Sequence, residues 1–121
     1  MTKVSFLKNN KLGDGFVQEN FFPKGENEYY IRNKQVNATE KHWRNLTNDE
    51  ISILKANANY ADDWNRVLVS DMFDAECIRN SKFYGLVRIG DICCGVLQYD
   101  HLQLPIGIYN SIIISSDIGD N

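Results

Sequence analysis

His101 is the side chain of this sequence best suited to acid–base work, because an imidazole titrates near neutrality and here it follows Asp100 within ICCGVLQYDHLQLP. On a loop it could act as the general base toward an acceptor hydroxyl, and it is the catalytic candidate. Against it, Asp and His side by side on an irregular loop commonly face solvent, and no second catalytic group can be named beside them. Cys93 and Cys94 could join His101 around a metal, but adjacent cysteines rarely aim both sulfurs at one ion and match no common zinc spacing. No metal ligand is therefore assigned, and the residues imply no particular cofactor. His42, next to Trp43 and Arg44, reads as a packing or surface residue. Gly13, Gly15 and Gly25 lack the Lys-Ser or Lys-Thr of a phosphate loop and read as turns. Tyr29, Tyr30, Arg32 and Lys34 interleave rings with cations as a base- or sugar-stacking surface would. Packing along an amphipathic edge strand accounts for them more simply.

The element that must position His101 is the stretch IGIYNSIIISSDIGDN, residues 106–121, in which Ile106, Ile112 and Ile118 recur every six residues. A six-residue period suits a parallel β-helix, where each short strand turns one aliphatic residue inward before a corner. Residues two apart share a strand face, so Asn110 and Ser116 are expected inside, and Asp117 outside and dispensable. Earlier in the chain Phe83 and Ile89 repeat the interval, with Ser81 and Val87 in the preceding inward slots. The tripeptide Ile89-Gly90-Asp91 returns at Ile118-Gly119-Asp120, its Asp suited to bonding turn amides. Seventeen residues separate Ile89 from Ile106, so 92–105 is expected to leave the coil. Ile108, Ile113 and Ile114 exceed the inward set, and some of them should face outward and need cover.

The best local signal lies upstream. Thr47 and Glu50 form a capping box, Leu46 and Ile51 a hydrophobic staple, and Ile51, Leu54 and Ala58 one helical face, which predicts a helix over 47–58 stopped at Asn57 or Asn59. Asp62 or Asp63 should cap a short segment with Trp64 as anchor, Val67–Val69 a strand, and 71–76 a turn over Met72 and Phe73. In 1–41, Val4, Phe6 and Leu12 suggest a short strand, 13–15 a turn, and 28–36 a second strand.

The chain of 121 residues carries a net charge of −3 with a pI near 5.3, which supplies no global basic field for nucleic acid or an anionic membrane. The opening MTKVSFLKNNKLGDG has no apolar signal region, and no run reaches membrane-span length. Three cysteines, Cys77, Cys93 and Cys94, give no disulfide framework and fit reduced thiols in the cytoplasm. The sequons at Asn37 and Asn45 are then coincidental.

RNLTNDEISIL, ADDWNRVLV, IRNSKFYGLVRIG and GIYNSII followed by IGDN resemble an uncharacterised bacterial family, domain of unknown function 4954. The resemblance spans 43–121 and leaves the first forty residues unaligned. Members are much longer and look like left-handed parallel β-helices related to hexapeptide-repeat transferases. The resemblance therefore implies an N-terminal part of such a protein, with the left hand resting on that analogy alone.

The resulting expectation is a mainly β chain comprising an N-terminal extension (1–41), a capping helix with a short strand (42–77), and the first hexapeptide-type coils (78–121) with their excursion at 92–105. Its role would be to cap and assemble a transferase-like protein acting on sugars or nucleotide-sugars, without catalysing alone. The alternative is a non-catalytic β-solenoid scaffold or binding module. The partners expected are the rest of a longer chain, a second copy, and a sugar or nucleotide-sugar ligand, with no nucleic acid and no membrane.

Overall fold

The computed structural model describes residues 4–6, 12–13 and 42–120. The expected strand at 28–36 and the aromatics Phe16, Phe21, Phe22, Tyr29 and Tyr30 lie outside them. Val4–Phe6 is exposed irregular chain rather than a strand, Leu12, expected with that strand, lies in a turn with Gly13, and Asp14 and Gly15 of the expected turn lie outside the described residues.

The described chain is mainly β, with one helix and several sheets. In order come β1 (Arg44–Asn45), α1 (Asn48–Ala56), β2 (Tyr60–Ala61), β3 (Val67–Val69), β4 (Ile78–Arg79), β5 (Lys82–Tyr84) and β6 (Val87–Ile89). There follow the hairpin β7 (Val96–Tyr99) and β8 (Leu102–Pro105), then β9 (Ile108–Tyr109), β10 (Ile112–Ile114) and β11 (Asp117–Ile118). β4, β5 and β6 each pair in parallel with β9, β10 and β11, their counterparts 29 or 30 residues later. β2 and β3 add in parallel to β5 and β6 on the other edge, and β1 closes β3 antiparallel. Parallel neighbours this close in sequence stack like side chains on like. Ala61, Phe83 and Ile113 form one column, Val69, Ile89 and Ile118 a second, and Ile78 with Ile108 a third, all within one core cluster.

This register corrects the predicted one. Ile112 is 64% exposed, beside exposed Lys82, while Ile113 sits on the core, so the inward residues of the last strands are Ile108, Ile113 and Ile118, five apart. Three consecutive isoleucines carry no face information, and the six-residue interval from Ile106 therefore chose the wrong one. Ser111 shows the true alignment: its N–H donates to buried Ser81 Oγ at 3.3 Å, two residues before the Phe83–Ile113 pair. Asn110 is likewise not inside. It turns an exposed corner at φ +52°, directly over Asn80 at φ +51°, whose Nδ2 donates to Asn110 Oδ1 at 2.8 Å. Ser116 is half-buried and Ile106 packs at the margin of the core, whereas Phe83, Ile89, Ser81 and Val87 are buried as expected. The repeated Asp residues do bond amides, across strands rather than within their own turn: Asp120 accepts from Asp91 N–H at 2.7 Å, and Asp91 from Met72 N–H at 3.3 Å.

The helix forms where its local signals lie. Thr47 Oγ1 accepts from Glu50 N–H at 3.1 Å, and Glu50 Oε1 accepts from Thr47 N–H at 2.9 Å. Leu54, buried to 1% exposure, anchors its apolar face, a burial worth about 2 kcal/mol. Ala58 is exposed at φ +65° and leaves the expected stripe. Asp63 caps the single turn Trp64–Arg66, Trp64 packs on the core, and of the pair expected beneath the next turn Phe73 is buried while Met72 is exposed. Beyond α1 the chain lies along the free edge of β4. Asn80 N–H donates to Asn57 O at 2.9 Å, Asn59 Nδ2 donates to Ile78 O at 2.9 Å, and Asn59 Oδ1 accepts from Ser81 N–H at 2.9 Å. Buried Asn59 thus supplies the bonds that a preceding strand would have made.

Candidate functional site

Within 92–105 lies the hairpin of β7 and β8, and His101 stands in its two-residue turn, fully exposed, with Nε2 3.7 Å from Asp100 Oδ1. Asp100 takes φ +56°, a left-handed geometry that Asp tolerates in tight turns. The strand register places Leu97, Tyr99, Leu102 and Leu104 on one face, each more than half exposed, and Gln98 and Gln103 on the other, bonded to each other at 3.0 Å. Among the described residues no further acid or base is brought to His101, so the tip is a solvent-facing Asp–His pair on a projecting arm. His42 is exposed.

At the root of the arm three candidate ligands converge. Asp74 caps the one-turn helix Ala75–Cys77, its Oδ1 accepting from Glu76 N–H at 3.0 Å. Cys77 is fully buried at the entrance to β4, and Cys94, on the far side of the corner, is joined to it as a disulfide with Cα atoms 5.3 Å apart. The expectation of three reduced, unpaired thiols is thereby corrected; Cys93 alone is free, and exposed. The pairing is invisible in the spacing because the chain travels once around the sheets between the two. Gly107 brings it back so close that a Cβ there would stand 2.1 Å from Cys77 O. The Asp74 carboxylate and both sulfurs lie within 4.8 Å of one another, the group among the described residues that could hold a metal ion. It differs from the set weighed from sequence: Cys94 is shared, but Asp74 and Cys77 replace Cys93 and His101.

The strongest electrostatic feature is a buried cation. Val87 and Ile89 point into the core, so Arg88 between them points out of the sheet, yet it is 1% exposed because Trp43 covers it at 5.1 Å from the ring centroid. Asp117, its partner on β11, receives Nε–H at 2.9 Å and Nη2–H at 2.5 Å. Asp117 is thus a paired, mostly buried acid and not the dispensable surface residue its position suggested. Nearby, Arg44 grips Glu50 with both terminal nitrogens at 2.8 and 2.9 Å. That bond from Arg44 holds the Glu50 carboxyl below its ordinary range, with the Thr47 amide assisting against burial, and the same contact raises Arg44. Both cations are occupied by protein acids: Arg44–Glu50 fastens β1 to α1, and Arg88–Asp117 ties β6 to β11.

Residues 43–121 match the family described as domain of unknown function (DUF4954). The chain belongs to this family. A protein of Treponema pallidum (strain Nichols) carrying the name "Uncharacterized protein" is 40% identical over 119 residues, 98% of this chain. That match takes in the first forty residues, which sequence reading left unaligned. The chain spans 16% of that relative's length. No solved structure matches the chain. No helix among the described residues is long and apolar enough to cross a membrane.

Proposed function

We propose that this DUF4954 chain is the N-terminal cap and assembly segment of a longer, left-handed parallel β-helix protein, placed in the cytoplasm and not catalytic alone. The observation that carries the reading is the cap itself: the chain after α1 occupies the edge of β4 through Asn57 and Asn59, and β1 occupies the edge of β3. One end of the stacked sheets is thereby covered along two of its strands, as the open end of a solenoid requires. The left hand rests on the resemblance. So does the activity of the whole, a transferase-like reaction on sugars or nucleotide-sugars related to that of hexapeptide-repeat enzymes. A second reading, a non-catalytic scaffold, is favoured by the isolation of His101 at the tip of the arm.

Assembly is assigned to a second copy meeting the apolar face of the hairpin. Deleting residues 42–61 from the protein should expose the covered edges and shift its solution mass to higher-order species. An unchanged mass with native-like spectra would refute the capping role. Leu97→Ser with Leu104→Ser should return an oligomer to one copy, and retention of the parent mass would remove the hairpin from assembly. In a screen of the full-length protein against nucleotide-sugars, His101→Ala should abolish any turnover found, whereas an unchanged rate would end its role as general base.

A further inference from the structure

We propose that Asp74, Cys77 and Cys94, once the Cys77–Cys94 bond is reduced, form a binding site for a thiophilic divalent metal ion of the zinc type at the root of the hairpin. Two observations meet here. The sulfurs and the carboxylate oxygen lie within 4.8 Å of one another. Tetrahedral zinc with bonds near 2.3 Å to sulfur needs ligand atoms about 3.8 Å apart, so small side-chain rotations suffice. A disulfide alone makes no use of Asp74, while a metal does: the carboxylate is already oriented by the Glu76 amide on one oxygen, which leaves the other for an ion. Cys77 is fully buried and Cys94 exposed, so the site would be backed by the core and open to solvent on one side. Three protein ligands with a fourth position left to water is an arrangement zinc accepts.

The chemistry balances simply. A phosphine reductant and one water convert the disulfide to two thiols and a phosphine oxide. The metal then displaces one proton from each thiol to solvent, leaving two thiolates and a carboxylate around a dication. The cytoplasmic thiol pool would perform the same two-electron reduction and favour the metal-ready form, whereas an oxidant of the disulfide class would remake the S–S bond and expel the ion. The site would therefore tie the arm to the body in either redox state.

The test is a Co2+ titration of the protein, reduced with a phosphine and kept anaerobic. Wild type should develop a near-ultraviolet sulfur-to-cobalt charge-transfer band, discharged by Zn2+ and by reoxidation. Cys94→Ser, at an exposed position that tolerates the change, should lose the band while retaining native circular dichroism, and Cys93→Ser should keep it. Asp74→Asn should keep the band with affinity weakened roughly tenfold or more. Absence of the band in reduced wild type, or its loss on Cys93→Ser but not on Cys94→Ser, would overturn the site. Equal affinity of Asp74→Asn and wild type would remove Asp74 from it.

Discussion

Replacing Asp117 with Ala would strip the acid from a guanidinium that is 1% exposed. Both members of the pair are withdrawn from water, Asp117 to 15% side-chain exposure, and the contact is two-pronged. Breaking a buried, two-pronged pair by removing one partner costs about 3–5 kcal/mol. The Trp43 ring, its centroid 5.1 Å from the guanidinium carbon, faces Arg88 in wild type and variant alike and so cancels from the difference. The expected loss is therefore about 3 kcal/mol or more, a large share of a small domain's total stability. Urea unfolding followed by tryptophan fluorescence reads it well, since Trp43 reports on this contact. The companion variant carries Arg88→Met and Asp117→Leu together. It replaces the ion pair with apolar groups of similar volume and should lie within about 1 kcal/mol of wild type. A stability for Asp117→Ala within about 0.5 kcal/mol of wild type would refute the reasoning, and so would a double variant as damaged as the single one.

Glu50, held below its ordinary carboxyl value of 4.5 chiefly by Arg44, binds its proton less tightly folded than unfolded. Its stabilisation is full above that value and fades as pH falls through the lower folded one. Urea midpoints measured from about pH 6 to about pH 3 should therefore fall less steeply in Glu50→Gln than in wild type, and parallel slopes would contradict the pairing. Asn59→Ala leaves Ile78 O and the Ser81 amide without their side-chain partner. It should cost about 2–3 kcal/mol and speed hydrogen exchange at Ser81, whose unchanged protection would argue against the edge role.

What could be read in the sequence was what depends on near neighbours. The Thr47–Glu50 box and the cap expected at Asp62 or Asp63 each declare themselves within a few residues, and the box and an Asp63 cap are present. Contacts between stacked strands could be read only through the repeat, and the repeat was mis-set. NSKFYG at 80–85 and NSIIIS at 110–115 align thirty residues apart, as the Asn80–Asn110 and Ser81–Ser111 bonds show. Applying to Ser111 the rule that placed Ser81 two residues before Phe83 would have turned Ile113 inward and Ile112 out. The Ile89–Ile118 repeat already sets Asp117 beside Arg88, but no local signal says that Trp43 covers Arg88 and that the pair is buried. The Cys77–Cys94 union had no local signal, because an intervening circuit of the sheets brings the two together.

The central claim is that strands about thirty residues apart stack in one register, with Ile113 beneath the Phe83 column and Ile112 in solvent. Urea unfolding of Ile113→Asp beside Ile112→Asp tests it most directly. The account predicts a loss of about 3 kcal/mol or more for Ile113→Asp, from a charge forced into the core, and less than about 1 kcal/mol for Ile112→Asp. Equal losses, or the larger loss at Ile112, would contradict it.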